Sequence, residues 1–267
     1  MTVPRVLIVA GSDSGGGAGI QADIKTVTML GGFAMTAVTA ITAQNTRGVF
    51  GVVALDPAFV VRQMELVLED IGADAIKTGM LHSTAMIDAV ADALERFAPD
   101  VPLVVDPVMV AKGGASLLES AAEQRLCERL LPRALLVTPN APEAAALTGL
   151  ELSSPGDLER AAERLVELGA GAALVKGGHL AGERVVDVLS TRSGLKRRFE
   201  GPRLHTAATH GTGCTLASAI AVGVAQGMDL ERAIERARAY LVEAMRTAPG
   251  LGAGHGPLNH GHPLRGS

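Results

Sequence analysis

Short apolar runs rich in β-branched residues alternate with amphipathic helical patterns along almost the whole chain. Residues 6–10, 103–105 and 173–175 are such runs, and each is followed by a segment whose apolar residues recur at helical spacing. Apolar strands followed by helices build right-handed βαβ units, and these form a mainly parallel sheet covered on both faces. The pattern therefore predicts an α/β fold. Because no linker-like segment or repeat interrupts it, we expect one domain over residues 1–267.

The composition narrows the classes of function. The chain has 267 residues, 48% of them hydrophobic and 19% charged, with a net charge of −4, so it can bury a sizeable core. Charges of both signs are scattered and aromatic residues make up only 2%, which argues against nucleic acid as a partner. Two cysteines give no disulfide framework, the first apolar run is too short for a signal peptide, and no run approaches a membrane span. We expect a cytoplasmic protein without a membrane partner.

Residues 209–215, Thr-His-Gly-Thr-Gly-Cys-Thr, join a polar segment to an apolar run. Gly211 and Gly213 allow a sharp turn, and the free amides of a following helix would complete an anion hole for phosphate. Cys214 would then lie in the first helical turn, where the helix dipole favours a thiolate. The alternative is a simple strand-to-helix turn with Cys214 filling space. The local pattern leaves both interpretations open.

Polar residues follow the predicted strands at the point where each strand ends. They are Gly11-Ser12-Asp13, Gln44-Asn45, Lys77-Thr78-Gly79, Asp106-Pro107, Thr138-Pro139-Asn140 and Lys176-Gly177-Gly178. In parallel α/β sheets, ligands bind outside the carboxyl ends of the strands. The sequence therefore predicts one ligand site that gathers these residues.

The glycine-rich stretch over residues 11–19 has too many glycines for turning alone, and glycine lets backbone approach a ligand closely. It lacks the lysine of a P-loop and the glycine spacing of a dinucleotide fingerprint. Asp23 follows Gly19 by about one helical turn. We expect Asp23 to face the cavity, with solvent-exposed surface as the alternative.

Three further positions carry chemistry. Gln44 offers a donor and an acceptor that suit the amino-and-ring-nitrogen edge of a heterocycle. Lys176, followed by two glycines, is suited to face a polyphosphate, although it is also compatible with an ordinary strand-end charge. Asn140 and Glu143 have the spacing of a capping box; the functional alternative is that Glu143 and Asp106 hold a hydrated Mg²⁺.

These motifs together resemble a known family. They are residues 11–23 (GSDSGGGAGIQAD), 42–46 (TAQNT), 77–81 (KTGML), 105–109 (VDPVM), 138–140 (TPN), 175–179 (VKGGH) and 210–215 (HGTGCT). The chain resembles the hydroxymethylpyrimidine/phosphomethylpyrimidine kinases of thiamine biosynthesis over nearly its whole length. The resemblance implies a ribokinase-like three-layer α/β/α sandwich, a homodimer, and ATP and Mg²⁺ as cofactors. It implies phosphorylation of 4-amino-5-hydroxymethyl-2-methylpyrimidine and then of its monophosphate.

The resemblance also implies roles for individual residues. Cys214 stands where sugar-kinase relatives place an Asp base, and the catalytic group is Cys214, Lys176, Gly211 and Gly213. The implied substrate-binding residues are Gln44, Asp23, Gly11, Ala18, Met80 and Val108. The ATP-binding residues are Lys176, Asn140, Thr209 and Thr212, and the Mg²⁺ ligands, through water, are Asp106 and Glu143. The chain departs from the family at Ala207-Ala208, where Lys-Asn is frequent, and at Arg238, where a lysine near the phosphates is common.

Three other functions compete with this one. A pyridoxine or pyridoxal kinase also phosphorylates a hydroxymethyl group, but its ring has no amino group for the Gln44 carbonyl. A catalytically silent nucleotide-binding regulator would be expected to have lost the base or the anion loop, and both are intact. A dinucleotide-dependent oxidoreductase is disfavoured because the fingerprint is missing.

Overall fold

The computed structural model describes residues 2–109, 117 and 120–265, and these form one nine-stranded sheet. The strands are β1 (Arg5–Asp13), β2 (Phe33–Asn45), β3 (Gly48–Ala54), β4 (Ala75–Thr78), β5 (Leu103–Val105), β6 (Leu136–Val137), β7 (Ala172–Val175), β8 (Arg184–Thr191) and β9 (Lys196–Pro202). Their order is β3-β2-β1-β4-β5-β6-β7-β8-β9. The six central strands are parallel, and β3, β8 and β9 are antiparallel to their neighbours.

Helices cover both faces of this sheet. They are α1 (Gly19–Met29), α2 (Pro57–Asp70), α3 (Thr84–Phe97), α4 (Ser120–Arg129), α5 (Ala141–Thr148), α6 (Pro155–Glu167), α7 (Thr212–Ala225) and α8 (Leu230–Arg246). Helices α2 to α6 pack on one face, and α1, α7 and α8 pack on the other. The predicted three-layer α/β/α arrangement is confirmed. Within the described part of the chain, no helix has the length and apolar character to cross a membrane.

The central strands are buried on both faces, as a parallel sheet between two helical layers requires. In β1, Leu7 and Val9 belong to the core under α2 and α3, while Val6 and Ile8 belong to the core under α7 and α8. All four side chains are fully buried. Successive residues of a strand point to opposite faces, so one apolar run supplies both cores.

Local signals in the sequence define the helix starts. Asp56 caps α2 by accepting a hydrogen bond from the Ala58 amide, and Pro57 is the first helical residue. Asn140 and Ser154 each form a full capping box, at α5 and α6. Strands β8 and β9 form a hairpin, with Gly194 in its turn at a φ of 88°.

A buried ion pair joins the sheet to the helical layer of α1 and α7, near the carboxyl ends of the strands. Lys77 Nζ of β4 donates to both carboxylate oxygens of Asp23 on α1, at 3.0 and 2.9 Å. Ser218 Oγ of α7 donates to Asp23 Oδ1 at 2.6 Å. Both charged side chains are fully buried. Burial by itself lowers the pKa of Lys77, but Asp23 and the nearby Cys214 and Asp106 raise it above its ordinary value.

Both positions considered for Asp23, facing the cavity and lying on the exposed surface, are therefore wrong. Asp23 is not on the solvent-exposed surface, and it does not line the ligand cavity described below. Its carboxylate instead neutralises Lys77. The spacing from Gly19 placed it on the correct helix, but only the packing of α1 against β4 and α7 decided which way the side chain points.

We expect Lys77→Met to lower the free energy of unfolding by about 3–5 kcal/mol, because it leaves the Asp23 carboxylate buried without its cation. Denaturant unfolding measures this change. The double variant Lys77→Met/Asp23→Leu should recover much of the loss, since no unpaired charge remains. Lys196→Met, at the exposed edge strand, is the control and should change stability little. Equal effects of Lys77→Met and Lys196→Met would contradict the importance of the buried pair.

Candidate active site

A cavity of about 710 Å³ opens at the carboxyl ends of the central strands. It lies near β1, which has β2 as its neighbour on one side and β4 on the other, so the strand order reverses direction there. Ligands in open α/β sheets bind at such a switch point. Residues of β1, β2 and β4 line it, together with residues that follow β5, β6 and β7 and the start of α7. The predicted convergence of strand-end residues is confirmed.

Two glycine-containing loops meet at the cavity with their backbones in contact. Gly211 has a φ of 80°, and a Cβ placed on it would lie 1.9 Å from the Gly17 carbonyl oxygen. A Cβ on Gly17 would in turn lie 2.5 Å from Cδ2 of His210. Real Cβ contacts are never this short, so both positions require glycine. The glycine-rich loop and the anion loop are therefore held against each other.

Asp13 organises the glycine-rich loop. Its carboxylate accepts hydrogen bonds from the amides of Gly15 (2.7 Å), Gly17 (3.0 Å) and Ala18 (2.8 Å). His210 Nε2 of the anion loop lies 2.8 Å from Asp13 Oδ2. Burial raises the pKa of Asp13, but the hydrogen bonds from His210 and the amides lower it by more. The pKa of Asp13 is therefore below its usual value. Asp13 is therefore an anion that ties the two loops together.

The anion loop leads directly into α7, as predicted. Gly211 is the N-cap and provides no side chain to cap the first turn, and the cavity is lined by residues 211–214. The backbone amides of that turn are suited to bind an anion in the cavity. Thr212 Oγ1 donates to the Thr209 carbonyl at 3.2 Å and braces the turn.

The predicted thiolate at Cys214 is contradicted. Cys214 is the third residue of α7 and its side chain is partly exposed. Burial in the surrounding protein raises the pKa of the thiol to about 12, and Asp23 and Asp106 raise it further, against lowering by Lys77 and the Gly19 amide. The thiol is therefore protonated near neutral pH. A helix N-terminus favours a thiolate, but burial and the carboxylates that other elements bring to the same place outweigh it at Cys214.

Lys176 and Asp106 form a second charged pair, which lies against the first turn of α7. Lys176 Nζ lies 3.2 Å from Asp106 Oδ1, which also accepts from Thr138 Oγ1 at 3.3 Å. A Cβ on Gly213 would lie 3.3 Å from Lys176 Nζ, so the ammonium group sits against the first turn of α7. Lys176 is thus positioned beside the predicted anion hole.

The two carboxylates predicted to hold Mg²⁺ both lie at this edge of the cavity. Asp106 Oδ2 is buried without a hydrogen-bond partner among the described residues. Burial raises the pKa of Glu143 to about 7, with Asp106 also raising it and Lys176 lowering it. Glu143 Oε2 accepts from the Asn140 amide at 2.7 Å, which completes the capping box. An unpartnered carboxylate oxygen next to a second carboxylate fits a hard cation that takes its remaining ligands from phosphate and water.

The other predicted site residues also line the cavity. These are Gly11, Ala18, Gln44, Met80 and Val108 for the substrate, and Asn140, Thr209 and Thr212 for ATP. Gly11 is needed beside Met80, because a Cβ there would lie 2.5 Å from Met80 Cε. Arg238 does not line the cavity: it pairs with Asp187, whose Oδ1 accepts from the Gly177 amide at 2.9 Å.

The sequence motifs expected at the cavity contain Asp13 and His210, but no individual role was predicted for either residue. Asp13 follows a strand and precedes three glycines, which is the setting in which an Asp side chain binds backbone amides. That signal was present. Nothing in the sequence indicated that His210 would reach Asp13, because 197 positions separate them.

Comparison with known proteins assigns the family. A family model described as phosphomethylpyrimidine kinase matches residues 13–259. The chain is 54% identical over 255 residues to the thiamine biosynthesis bifunctional protein ThiED of Geobacter sulfurreducens, covering 96% of this chain and 52% of that protein. This chain thus spans about half the length of that relative. It is 45% identical over 260 residues to the hydroxymethylpyrimidine/phosphomethylpyrimidine kinase of Bacillus subtilis, covering 97% and 96% of the two chains.

Solved structures agree with this assignment. The phosphomethylpyrimidine kinase of Clostridium difficile superposes with a TM-score of 0.80 at 40% identity, covering 91% of this chain and 99% of that one. An ADP complex of Bacillus subtilis pyridoxal kinase superposes with a TM-score of 0.90 at 35% identity, covering 99% of both. The ribokinase-like fold is thus shared by kinases of two ring types. The family match and the sequence identities show that this chain belongs to the phosphomethylpyrimidine kinase family.

Proposed function

We propose that the protein transfers the γ-phosphoryl group of ATP to 4-amino-5-hydroxymethyl-2-methylpyrimidine and then to its monophosphate, in thiamine diphosphate biosynthesis. One observation carries the proposal. A single cavity is lined by Gln44 and by the first turn of α7 together with Lys176. The first suits an aminopyrimidine edge and the second suits a polyphosphate.

The residues of the cavity divide the chemistry between them. In the first reaction the hydroxymethyl oxygen forms a bond to the γ-phosphorus, and the bond from that phosphorus to the bridging oxygen of ADP breaks. Phosphoryl transfer depends mainly on positioning and charge stabilisation. The amides of Gly211 to Cys214 and the Lys176 ammonium stabilise the negative charge of the transferring group. Asp106 and Glu143 would hold Mg²⁺ through water, and the ion would supply further neutralisation of the polyphosphate.

The hydroxyl proton needs an acceptor, and Cys214 is the candidate. It lines the cavity in the first turn of α7. A thiol with a pKa of about 12 must lose its own proton before it can act as a base. The ionised fraction grows about tenfold with each pH unit below that pKa. The role of Cys214 therefore predicts a characteristic dependence of turnover on pH.

Pyridoxal kinase is the second candidate, because a structure of that activity superposes over 99% of both chains. The ring of pyridoxal carries no amino group to pair with the Gln44 carbonyl. Release of ADP, measured with each ring in turn, distinguishes the two functions. Turnover with the aminopyrimidine but weak turnover with pyridoxal supports the first.

We also propose a cytoplasmic homodimer. Apolar side chains of β3 are exposed, with Phe50 at 73% and Val53 at 66%, and a second copy of the chain would cover such a surface. Light scattering in solution measures the mass, and a monomer at micromolar concentration would refute the dimer.

Gln44→Leu should weaken the affinity for the pyrimidine roughly ten- to a hundred-fold, because the ring's amino group and nitrogen lose their partners on burial, a loss of about 1–3 kcal/mol. Affinity for ATP should barely change. Isothermal calorimetry with each ligand measures both. Asn45→Ala is the matched control, since the Asn45 side chain only accepts from the Arg47 amide in a turn. An unchanged pyrimidine affinity in Gln44→Leu would remove this residue from the site.

Lys176→Ala should reduce ATP binding or turnover far more than pyrimidine binding, because it removes the cation beside the anion hole. Lys196→Ala, on the exposed edge strand, should leave both unchanged. Activity should be lost in EDTA and return with Mg²⁺. Steady-state kinetics with each ligand varied separate these effects, and full activity in EDTA would exclude the metal.

Cys214→Ala should lower single-turnover phosphorylation by about 10²–10⁴-fold while both ligands still bind. In the wild type the rate should rise about tenfold per pH unit between pH 6 and 9, because only the thiolate accepts a proton and its population grows with pH. Cys214→Asp should retain part of the activity, since a carboxylate can accept the same proton. Cys127→Ala is the control. A flat wild-type profile, or turnover by Cys214→Ala within a few-fold of wild type, would show that the loop amides, Lys176 and Mg²⁺ suffice.

A further inference from the structure

His210 connects the residue proposed to read the pyrimidine ring with both glycine-containing loops. Its side chain is buried, with the residue 7% exposed. Its Nε2 atom lies 2.8 Å from Asp13 Oδ2 and 3.2 Å from Gln44 Nε2. Asp13 is an anion that only accepts hydrogen bonds, so His210 Nε2 must carry a hydrogen and donate it to that carboxylate.

The Gln44 amide nitrogen, which is a donor, then faces the His210 N–H, which is also a donor. Two donors cannot bond to each other. The amide oxygen lies 3.2 Å from Thr42 Oγ1, but the single hydroxyl hydrogen of Thr42 is directed to the Ser12 carbonyl at 2.9 Å. A half-turn of the amide corrects both contacts. The amide oxygen then accepts a second branch of the His210 N–H, and the amide nitrogen donates to Thr42 Oγ1.

The rest of Gln44 is held independently of this amide. Its backbone N–H donates to Ser14 Oγ, and Ser14 Oγ donates to its backbone carbonyl, both at 2.8 Å. The position of the residue is therefore set by the glycine-rich loop. Only the direction of the amide is left for His210 and Thr42 to decide.

That direction determines how an aminopyrimidine can lie in the cavity. The oriented amide keeps one lone pair free at the His210 end and one N–H free at the Thr42 end. In the proposed substrate the C4 amino group donates and N3 accepts, so the amino group must lie at the His210 end. C5, which carries the hydroxymethyl group, adjoins C4 on the side away from N3. The hydroxymethyl group therefore points toward the anion loop that contains His210 and Cys214.

We propose that His210 is a specificity-determining positioning residue that fixes the direction of the Gln44 amide and so aims the hydroxymethyl group at the phosphoryl-transfer site. The assignment rests on the proposed function, because it assumes an aminopyrimidine substrate. It gives His210 no contact with the reacting atoms. Its effect reaches the substrate through Gln44.

The 4-oxo analogue of the substrate tests this directly. Its C4 oxygen accepts and its N3–H donates, so it pairs only with the reversed amide. The measured quantity is the ratio of kcat/KM for the 4-amino ring to that for the 4-oxo ring. His210→Phe keeps a ring of similar size but removes the N–H, which frees the amide to turn. His210→Gln keeps an N–H at similar reach.

We expect the wild-type ratio to fall about tenfold or more in His210→Phe, the size of effect that one misplaced hydrogen-bond pair produces. The KM for ATP should stay within about twofold. His210→Gln should restore most of the ratio. His205→Phe is the matched control, because the His205 side chain is 72% exposed and lies outside the cavity lining, and its ratio should equal that of the wild type.

Thr42→Val provides a second route if His210→Phe does not fold, as judged by circular dichroism. It removes the acceptor at the other end of the amide and should lower the ratio in the same direction. An unchanged ratio in a folded His210→Phe or Thr42→Val protein overturns the assignment. So does an equal loss for both rings that His210→Gln does not rescue. If the wild type phosphorylates neither ring, the proposed function itself fails. If the wild type phosphorylates the 4-amino ring but the variants do not show the expected change in ratio, only the role of His210 is excluded.

Discussion

The site depends on the contact between the backbone of Gly17 and that of Gly211. No side chain fits between them, since a Cβ on Gly211 would lie 1.9 Å from the Gly17 carbonyl oxygen. This contact sets the start of α7 relative to the end of β1. The Asp13 carboxylate then satisfies the amides of the first loop and binds His210 of the second. The glycine-rich loop, the anion loop and Gln44 are thus joined by one set of contacts.

Charge is buried beneath this unit in an arrangement suited to phosphate chemistry. Lys77 is fully neutralised by Asp23, so it stabilises the fold and leaves no free charge. Lys176 is paired more loosely with Asp106, whose second oxygen has no partner among the described residues. The unpaired oxygen of Asp106 at the cavity edge suits a cation that accompanies a polyphosphate. Burial of the thiol, together with Asp23 and Asp106, keeps Cys214 protonated.

Patterns that act over a few residues were read correctly from the sequence. The capping box of Asn140 and Glu143 is such a pattern, because its two hydrogen bonds join residues only three positions apart in the chain. The convergence of Gln44, Asp106 and Lys176 was also predictable, because parallel strands end at one edge of the sheet. Asp23 and the Cys214 thiol were misjudged, since the pKa of each is governed by burial and by charges that come from other helices and strands.

The sequence by itself determined the alternation of strands and helices, the edge of the sheet at which ligands bind, and the motifs that identify the family. Periodicity and strand direction are sufficient for the first two, because a side chain's face follows from its position in the repeat. Only the tertiary structure decided that Asp23 turns inward to Lys77 and that the Cys214 thiol keeps its proton. It also decided that His210 meets Asp13 and Gln44. These outcomes depend on contacts between residues far apart in the chain, because electrostatic and hydrogen-bond energies depend on the distance, orientation and burial of the groups in the folded protein.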